Sequence, residues 1–413
     1  MPNVVRGMRA PMPSRFPRFF QALCSVVFCL SPTGQAAAQV HPLESFFERL
    51  DRMAGQPEED NKSRIAWWGD SAIISDGYTG QLRKRLQQRF GDGGPGFLLT
   101  EATFKGHVHR RVRIYPKGWR SRGVLFGGRN ARFGYGGVSS LGYSGANTTY
   151  VSRNGPFDGT VTVFFESGPK TGLISVFFEK RGAPFTHNTR LGDNGDTSPW
   201  RISLPKMTSR VRLRSAGGGP VRVYGVAIEQ KAAGVVLDTL GVLGLRGRRL
   251  LKNRRDHHVK QIAARAPHLL VSSFGGNERV DGMGQKKHFD DMVKLMTRLK
   301  LGAPKASCMF FGPLPHGVRR RGKVVSDPRL KHIIGAQRLA AAQLGCAFVD
   351  PSEFFGSDPD DVIQRWRADK WIGGDLAHLT NTGHRMVGDA VAGWFMGEYD
   401  RWKASRVVPP PSD

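Results

Sequence analysis

The stretch Arg64-Ile65-Ala66-Trp67-Trp68-Gly69-Asp70-Ser71 decides how the chain is read. An apolar run ends in Gly-Asp-Ser, and a periodic helix, Thr79–Phe90 with Leu82 and Leu86 inward, begins within ten residues. A buried strand feeding a helix through a short polar turn is the first half of a βα unit. A Ser at the carboxyl end of a first parallel strand sits where open α/β sheets hold their ligands. Its hydroxyl is a poor nucleophile until a base takes the proton.

Working outward, four more apolar runs read as buried strands: Gly234–Leu240, Leu269–Phe274, Cys308–Phe311 and Cys346–Val349. Helical stretches lie near 247–264, 287–300 and 328–345, and an amphipathic helix from about Thr382 to Trp402 closes the series. Strands alternating with helices predict a parallel sheet covered on both faces. Residues 105–230 break this rhythm with Gly-rich, alternating segments divided by turns such as Asn154-Gly155 and Asp158-Gly159. They predict an antiparallel β-sandwich inserted into the α/β domain, which therefore comprises 63–104 and 231–403. A short amphipathic helix, Pro42–Met53, and a charged linker fill 39–62, and 404–413 reads as a frayed tail.

The 413 residues carry 62 Lys and Arg against 34 Asp and Glu, a net charge of +28. Such an excess predicts a polyanionic neighbour. The insert alone holds 20 basic against 6 acidic residues. Residues 1–38 pair a basic lead (Arg6, Arg9, Arg15, Arg18) with the apolar run Phe19–Leu30 and an Ala36-Ala37-Ala38 cleavage site, the layout of a secretory signal peptide. Export argues against a nucleic-acid partner, and no later segment is apolar enough to span a membrane. Beyond that leader only Cys308 and Cys346 remain. In their apolar settings they read as two buried free thiols rather than a disulfide.

Three further pieces complete a catalytic constellation. In Gly374-Asp375-Leu376-Ala377-His378, the spacing lets Asp375 hold His378 at Nδ1 and leave Nε2 as the base for Ser71. Gly275-Gly276-Asn277-Glu278 follows one strand and offers the Asn277 amide; Gly241-Val242-Leu243-Gly244 follows another and offers a backbone N–H. With the Ser71 N–H these form a three-donor oxyanion hole. Gly241 is the alternative to Gly244, and His384, which lacks an Asp three residues before it, is the rival base.

Gly69-Asp70-Ser71, Gly244, Gly276-Asn277 and Asp375-x-x-His378 resemble, in order, the four blocks of the SGNH (GDSL-type) hydrolases. The resemblance implies a flavodoxin-like three-layer α/β/α fold and acyl-ester hydrolysis without cofactor or metal. Ser71 and Asp375 lie 304 positions apart, more than compact members need, and the basic insert resembles the carbohydrate-binding-module-like domain of the peptidoglycan O-acetylesterase branch. That branch implies an acetylated glycan partner, peptidoglycan, with acetyl removed from C6 of N-acetylmuramic acid. Another acetylated polysaccharide, acetyl transfer, or non-catalytic wall binding are the alternatives. Ala72 after Ser71 and Leu245 after Gly244 depart from the branch's pattern and touch substrate preference only.

Other features have blander readings. His107-x-His109 has metal-ligand spacing but no evident third ligand. Ser167-x-x-Lys170 has no partner motif, and the basic runs Arg246–Lys260 and Arg319–Arg321 read as solvated surface. Trp119, Tyr135 and Trp200 are sugar-stacking candidates by type alone.

Overall fold

The computed structural model describes residues 40–56, 61–128, 131–179, 182–191 and 199–406. The expected signal peptide, most of the linker and residues 407–413 lie outside these. In chain order, helix α1 (Glu44–Arg52) precedes strand β1 (Lys62–Gly69) and α2 (Tyr78–Phe90). Then come β2 (Gly96–Leu98), β3 (Val112–Gly123), β4 (Val138–Ser152), β5 (Gly159–Phe165) and β6 (Leu173–Phe178). They continue in β7 (Phe185–Asn188), β8 (Pro199–Ser203), β9 (Arg210–Gly217) and β10 (Val221–Gln230). The chain returns through β11 (Gly234–Gly241), α3 (Gly247–Leu250), α4 (Arg255–Arg265), β12 (Leu269–Ser273), α5 (Gln285–Gly302) and β13 (Ser307–Phe311). A hairpin, β14 (Gly317–Arg320) and β15 (Lys323–Ser326), leads to α6 (Leu330–Leu344), β16 (Ala347–Val349), α7 (Pro359–Ala368) and α8 (Asn381–Ala404).

The predicted parallel sheet is present, in the order β11-β1-β12-β13-β16. Its strands are apolar throughout because both faces are covered. Ile65 and Trp67 face one core with Tyr78, Leu82, Leu86, Val391 and Phe395 of α2 and α8. Ala66 and Trp68 face the other with Ile262, Met296, Leu299 and Ala340 of α4, α5 and α6. Leu43, Phe46, Phe47 and Leu50 of α1 join the first core, as the amphipathic spacing predicts.

The antiparallel strands form one nine-stranded, near-barrel sheet, β7-β6-β9-β4-β10-β5-β8, with β2 on β10 and β3 on β4. Alternating residues such as Val161, Val163, Ile174, Leu213 and Val223 fill its own core. β2 lies before position 105 yet pairs with β10. The two sheets also share apolar contacts. Phe97, Phe133, Tyr135 and Tyr224 pack in the same cluster as Trp68, Leu240 and Phe274. Tyr135 O accepts the Trp68 indole N–H at 3.1 Å. A buried charge network crosses the same boundary. Arg265 bonds Asp238 at 2.7 Å and Glu229 at 2.6 Å, Arg64 bonds Glu229 at 2.7 Å, and the Phe97 N–H donates to Asp238 at 2.8 Å. Two guanidinium groups against two carboxylates leave no net buried charge, the condition under which such a cluster is tolerated.

Two expectations are corrected. Cys308 and Cys346 form a disulfide. The register Met309↔Ala347 brings the preceding residues side by side on neighbouring strands, with Cα atoms 4.8 Å apart and within bonding reach. The single helical stretch near 247–264 is two helices. Between them the Asn253 carboxamide accepts from Phe133 N–H and donates to Phe133 O (3.1 and 3.0 Å), and Arg254 N–H donates to Ala131 O at 2.9 Å. These bonds to the neighbouring sheet's loop draw the backbone out of helical pairing.

Candidate active site

β1 ends at Gly69, where an added Cβ would stand 2.9 Å from Ser273 O, so glycine alone lets the strand pass this close to β12. The chain then turns: Asp70 Oδ1 accepts Ala72 N–H at 3.0 Å, a local turn that leaves Ser71 at the sheet's carboxyl edge. Ala72 thus matters through its backbone.

The base arrives on a hairpin-like loop before α8. Gly373 N–H donates to His378 O at 2.7 Å, Thr380 N–H to Trp371 O at 2.9 Å, and Ile372 bridges Leu379. Leu376, at its tip, has φ +58°, a strained conformation for a branched side chain. It is held because Leu376 is buried and its carbonyl accepts Gly317 N–H from β14 at 2.7 Å. Thr380 caps α8 by accepting Gly383 N–H at 3.2 Å, leaving Asp375 free of that duty.

Ser71 Oγ lies 3.0 Å from His378 Nε2, and His378 Nδ1 lies 2.6 Å from Asp375 Oδ2. Asp375 Oδ1 accepts the N–H groups of Ala377 and His378, both at 3.1 Å. Partial burial would raise the Asp375 carboxyl, but these donors outweigh it and hold it down at about 2. His378 and Asp375 side chains are 55% and 53% exposed, so water reaches this pair.

The expected oxyanion donors differ in placement. Asn277 stands beside Ser71 in a cavity of about 330 Å³. Its Nδ2 donates to Asp70 Oδ2 and to Leu245 O, each at 3.1 Å, which occupies both amide hydrogens. Gly244 follows β11 at φ +69° and is not among the described residues lining the cavity. Gly241 ends β11, packed against Ile73 and Ile74. His384 is in α8, buried, 3.4 Å from Ser75 Oγ, with its ring filling the space beside Gly77. Burial, helped by Arg110 and His378, lowers it to about 4.

Asp70, which the sequence offers as an acceptor for backbone amides, takes that role with Ala72 N–H, whereas three lining or supporting residues, Glu278, His316 and Arg279, escape a sequence reading. Burial raises Asp70 to about 6, with Ala72 N–H, His378 and Arg279 opposing. Glu278 accepts Gly247 N–H at 2.8 Å and Gly275 N–H at 3.0 Å, stapling the Asn277 turn to α3. Burial, with Asp70 nearby, pushes it up to about 7. His316, after β13, lines the cavity with its Nδ1 2.7 Å from Leu314 O, and burial together with Arg279 lowers it to about 4. Arg279 brings a cation to the same wall while bonding Asp327 at 3.1 Å. Their only signal in the sequence is position: each follows a parallel strand, at the edge where such sheets bind ligands.

Of the remaining candidates, His107 and His109 stand before β3, lowered by burial to about 4 and 3. His109 faces Asp76, and no cluster of three metal-ligating groups occurs among the described residues. Trp119 and Tyr135 are buried; Trp200 is half-buried and stacks on His187 at 5.1 Å. No helix among the described residues is long and apolar enough to cross a membrane.

Residues 207–386 match the model of the GDSL-like Lipase/Acylhydrolase family. Among solved structures, a peptidoglycan O-acetylesterase aligns with a TM-score of 0.74 at 21% identity, covering 88% of this chain and 97% of its own. A lipase/acylhydrolase from Enterococcus faecalis aligns with a TM-score of 0.30 at 14% identity, over 40% of this chain and 77% of its own. A family two carbohydrate esterase from Cellvibrio japonicus gives 0.30 at 11%, over 70% and 98%. No curated protein sequence matches the chain. The first of these likenesses establishes the fold.

Proposed function

We propose that this chain, a GDSL/SGNH-type hydrolase by fold, is an exported serine esterase that removes O-acetyl groups from peptidoglycan, at C6 of N-acetylmuramic acid. The observation that carries this is the unbroken hydrogen-bond chain from Asp375 through His378 to Ser71. Ser71 Oγ attacks the acetyl carbonyl as His378 Nε2 takes its proton. Asp375 fixes the ring with Nδ1–H toward the carboxylate and stabilises the imidazolium that forms. His378 then protonates the sugar oxygen as it leaves, and a water activated by the same ring releases acetate from the acyl-enzyme.

The tetrahedral oxyanion is held by the Ser71 N–H and the Asn277 amide, whose residues line the cavity; Gly244, the third expected donor, is outside that lining among the described residues. Asn277 supplies its hydrogen by exchanging one acceptor, Asp70 or Leu245 O, for the developing charge. Each such donor is worth about 3–4 kcal/mol in the transition state. Peptidoglycan as the polymer is supported by the likeness to the peptidoglycan O-acetylesterase and by the export-type leader.

The test is acetate release from O-acetylated peptidoglycan, with acetylated xylan and Ser71→Ala protein alongside. Release from peptidoglycan, at least about 10³-fold lower in the variant, is expected. Release from xylan alone would move the substrate, and equal release by the variant would remove Ser71 from the chemistry.

A further inference from the structure

We infer that the outward face of the β3-β4-β9 sheet is a binding platform for the carboxylate-bearing glycan–peptide polymer itself. The inference rests on the proposed peptidoglycan reading and adds a second contact to it, separate from the triad. Alternation sorts the side chains of these strands. Val112, Tyr150, Val211 and Leu213 turn inward to the sheet's core. Arg113, Tyr115 and Lys117 of β3 and Arg210, Arg212 and Arg214 of β9 turn outward and are exposed.

Strand register sets them in rows. Lys117 pairs with Asn147 and Asn147 with Arg214; Tyr115 pairs with Thr149 and Thr149 with Arg212; Arg113 pairs with Val151 and Val151 with Arg210. Directly paired residues share a face. The rows stand about 7 Å apart along the strands, and β3 and β9 about 10 Å apart across β4.

None of these five cations forms an ion pair among the described residues. β3, β4 and β9 contain no Asp or Glu at all. Glu179, near Arg210, spends its carboxylate on the N–H groups of Ser209 and Arg210, at 2.5 and 2.8 Å. Among the described residues the face is thus a cationic grid, offset only by Glu179 beside Arg210, around one aromatic, Tyr115, which is 53% exposed.

Charge complementarity selects an acidic occupant, and the composition of the rows selects the kind. Asn147 and Thr149 offer hydroxyl- and amide-matched contacts between the cations, and Tyr115 offers a ring for a sugar face. None of the outward residues of β3 and β9 is a large exposed aliphatic of the sort that anchors a surface in lipid. An extended polymer bearing carboxylates on short peptide branches fits both conditions.

The test is cosedimentation of the full chain with insoluble peptidoglycan, comparing wild type, Arg212→Gln/Arg214→Gln and Arg212→Lys/Arg214→Lys. Thermal midpoints and 4-nitrophenyl acetate hydrolysis are measured on the same preparations. The Gln pair should weaken binding by about tenfold at low salt, with the difference shrinking as salt rises, while small-ester turnover stays unchanged. The Lys pair should bind within about threefold of wild type, since charge is kept. Unchanged binding by the Gln pair would overturn the inference. So would binding of wild type to phosphatidylglycerol vesicles through the same residues without binding to peptidoglycan. Arg-dependent binding without acetate release from peptidoglycan would support the platform and sink the substrate reading, so the two fail separately.

Discussion

Replacing Asp375 with Asn tests the triad at its most exposed joint. The carboxylate makes one short contact to His378 Nδ1, 2.6 Å, and two backbone contacts at 3.1 Å. Asparagine keeps a single carbonyl oxygen. If that oxygen stays with the two backbone N–H groups, its NH₂ faces Nδ1 and drives the ring proton to Nε2. The ring then points a hydrogen at Ser71 Oγ, 3.0 Å away, and has no lone pair with which to take the serine proton. If the amide flips, two backbone N–H groups meet a donor. Where the triad carboxylate is buried, this substitution costs about 10⁴ in turnover. Here both side chains are more than half exposed, and water can stabilise the productive tautomer. The expected loss is therefore smaller, about 10²–10³ in kcat with KM little changed, or about 3–4 kcal/mol. Asp375→Ala should lose no more than Asn does, because it imposes no wrong tautomer. Steady-state hydrolysis of 4-nitrophenyl acetate reads both. An Asn variant within threefold of wild type, or an Ala variant far worse than Asn, would refute the argument.

Three other expectations concern stability. Removing the Cys308–Cys346 bridge, which closes a span of 38 residues, should cost about 4 kcal/mol by chain entropy, read from urea midpoints of Cys346→Ala; an unchanged midpoint would contradict it. At Gly77 an added Cβ would fall 2.3 Å from His384 Nδ1, so Gly77→Ala should destabilise by about 1–3 kcal/mol. His384→Ala should recover part of that loss in a double-mutant cycle, and additive losses would mean the ring is not the obstacle. Stability should also rise from acid toward neutral pH. His107, His109, His316 and His384, lowered by burial to about 4, 3, 4 and 4, stay neutral in the fold and take up protons on unfolding below about pH 6.5. They outnumber the two raised acids, Asp70 and Glu278, that oppose them. Burial opposes ionised Glu229 and Asp76, but Arg265 with Arg64, and Arg83 with His109, hold them well below the usual range. Their stabilisation is present above about pH 4.5 and lost as pH falls. Asp70 and Glu278, raised to about 6 and 7, contribute below about pH 4 and lose that contribution as pH rises through those values. A midpoint flat from pH 3 to 8 would sink this reading.

The parallel strands and their helices were legible because each buries apolar residues at a fixed period, and Ser71, Asp375 and His378 because their strand-end and loop positions follow from those elements. What the sequence hid depends on register and on cross-chain partners. Nothing local to Cys308 or Cys346 states that Met309 pairs with Ala347. The break after Leu250 is set by Phe133, more than a hundred residues earlier. The Asn277 amide could be placed at a strand end, but its engagement with Asp70 and Leu245 O needed three loops to be located together. β2 is three residues long and carries no alternation to betray which sheet it joins.

The shared packing of Phe97, Tyr135 and Tyr224 against Trp68, Leu240 and Phe274 bears on how this protein can be altered. Trp68 is three positions from the nucleophile, and its indole N–H is satisfied by Tyr135. Cutting out residues 105–230 would open a large apolar wound directly behind Ser71 and remove Glu229, taking from Arg64 its carboxylate and leaving Arg265 with Asp238 alone. The glycine-rich region is therefore no detachable accessory that could be swapped for another binding module. Grafting a foreign domain at that point would have to rebuild the rear wall of the catalytic sheet.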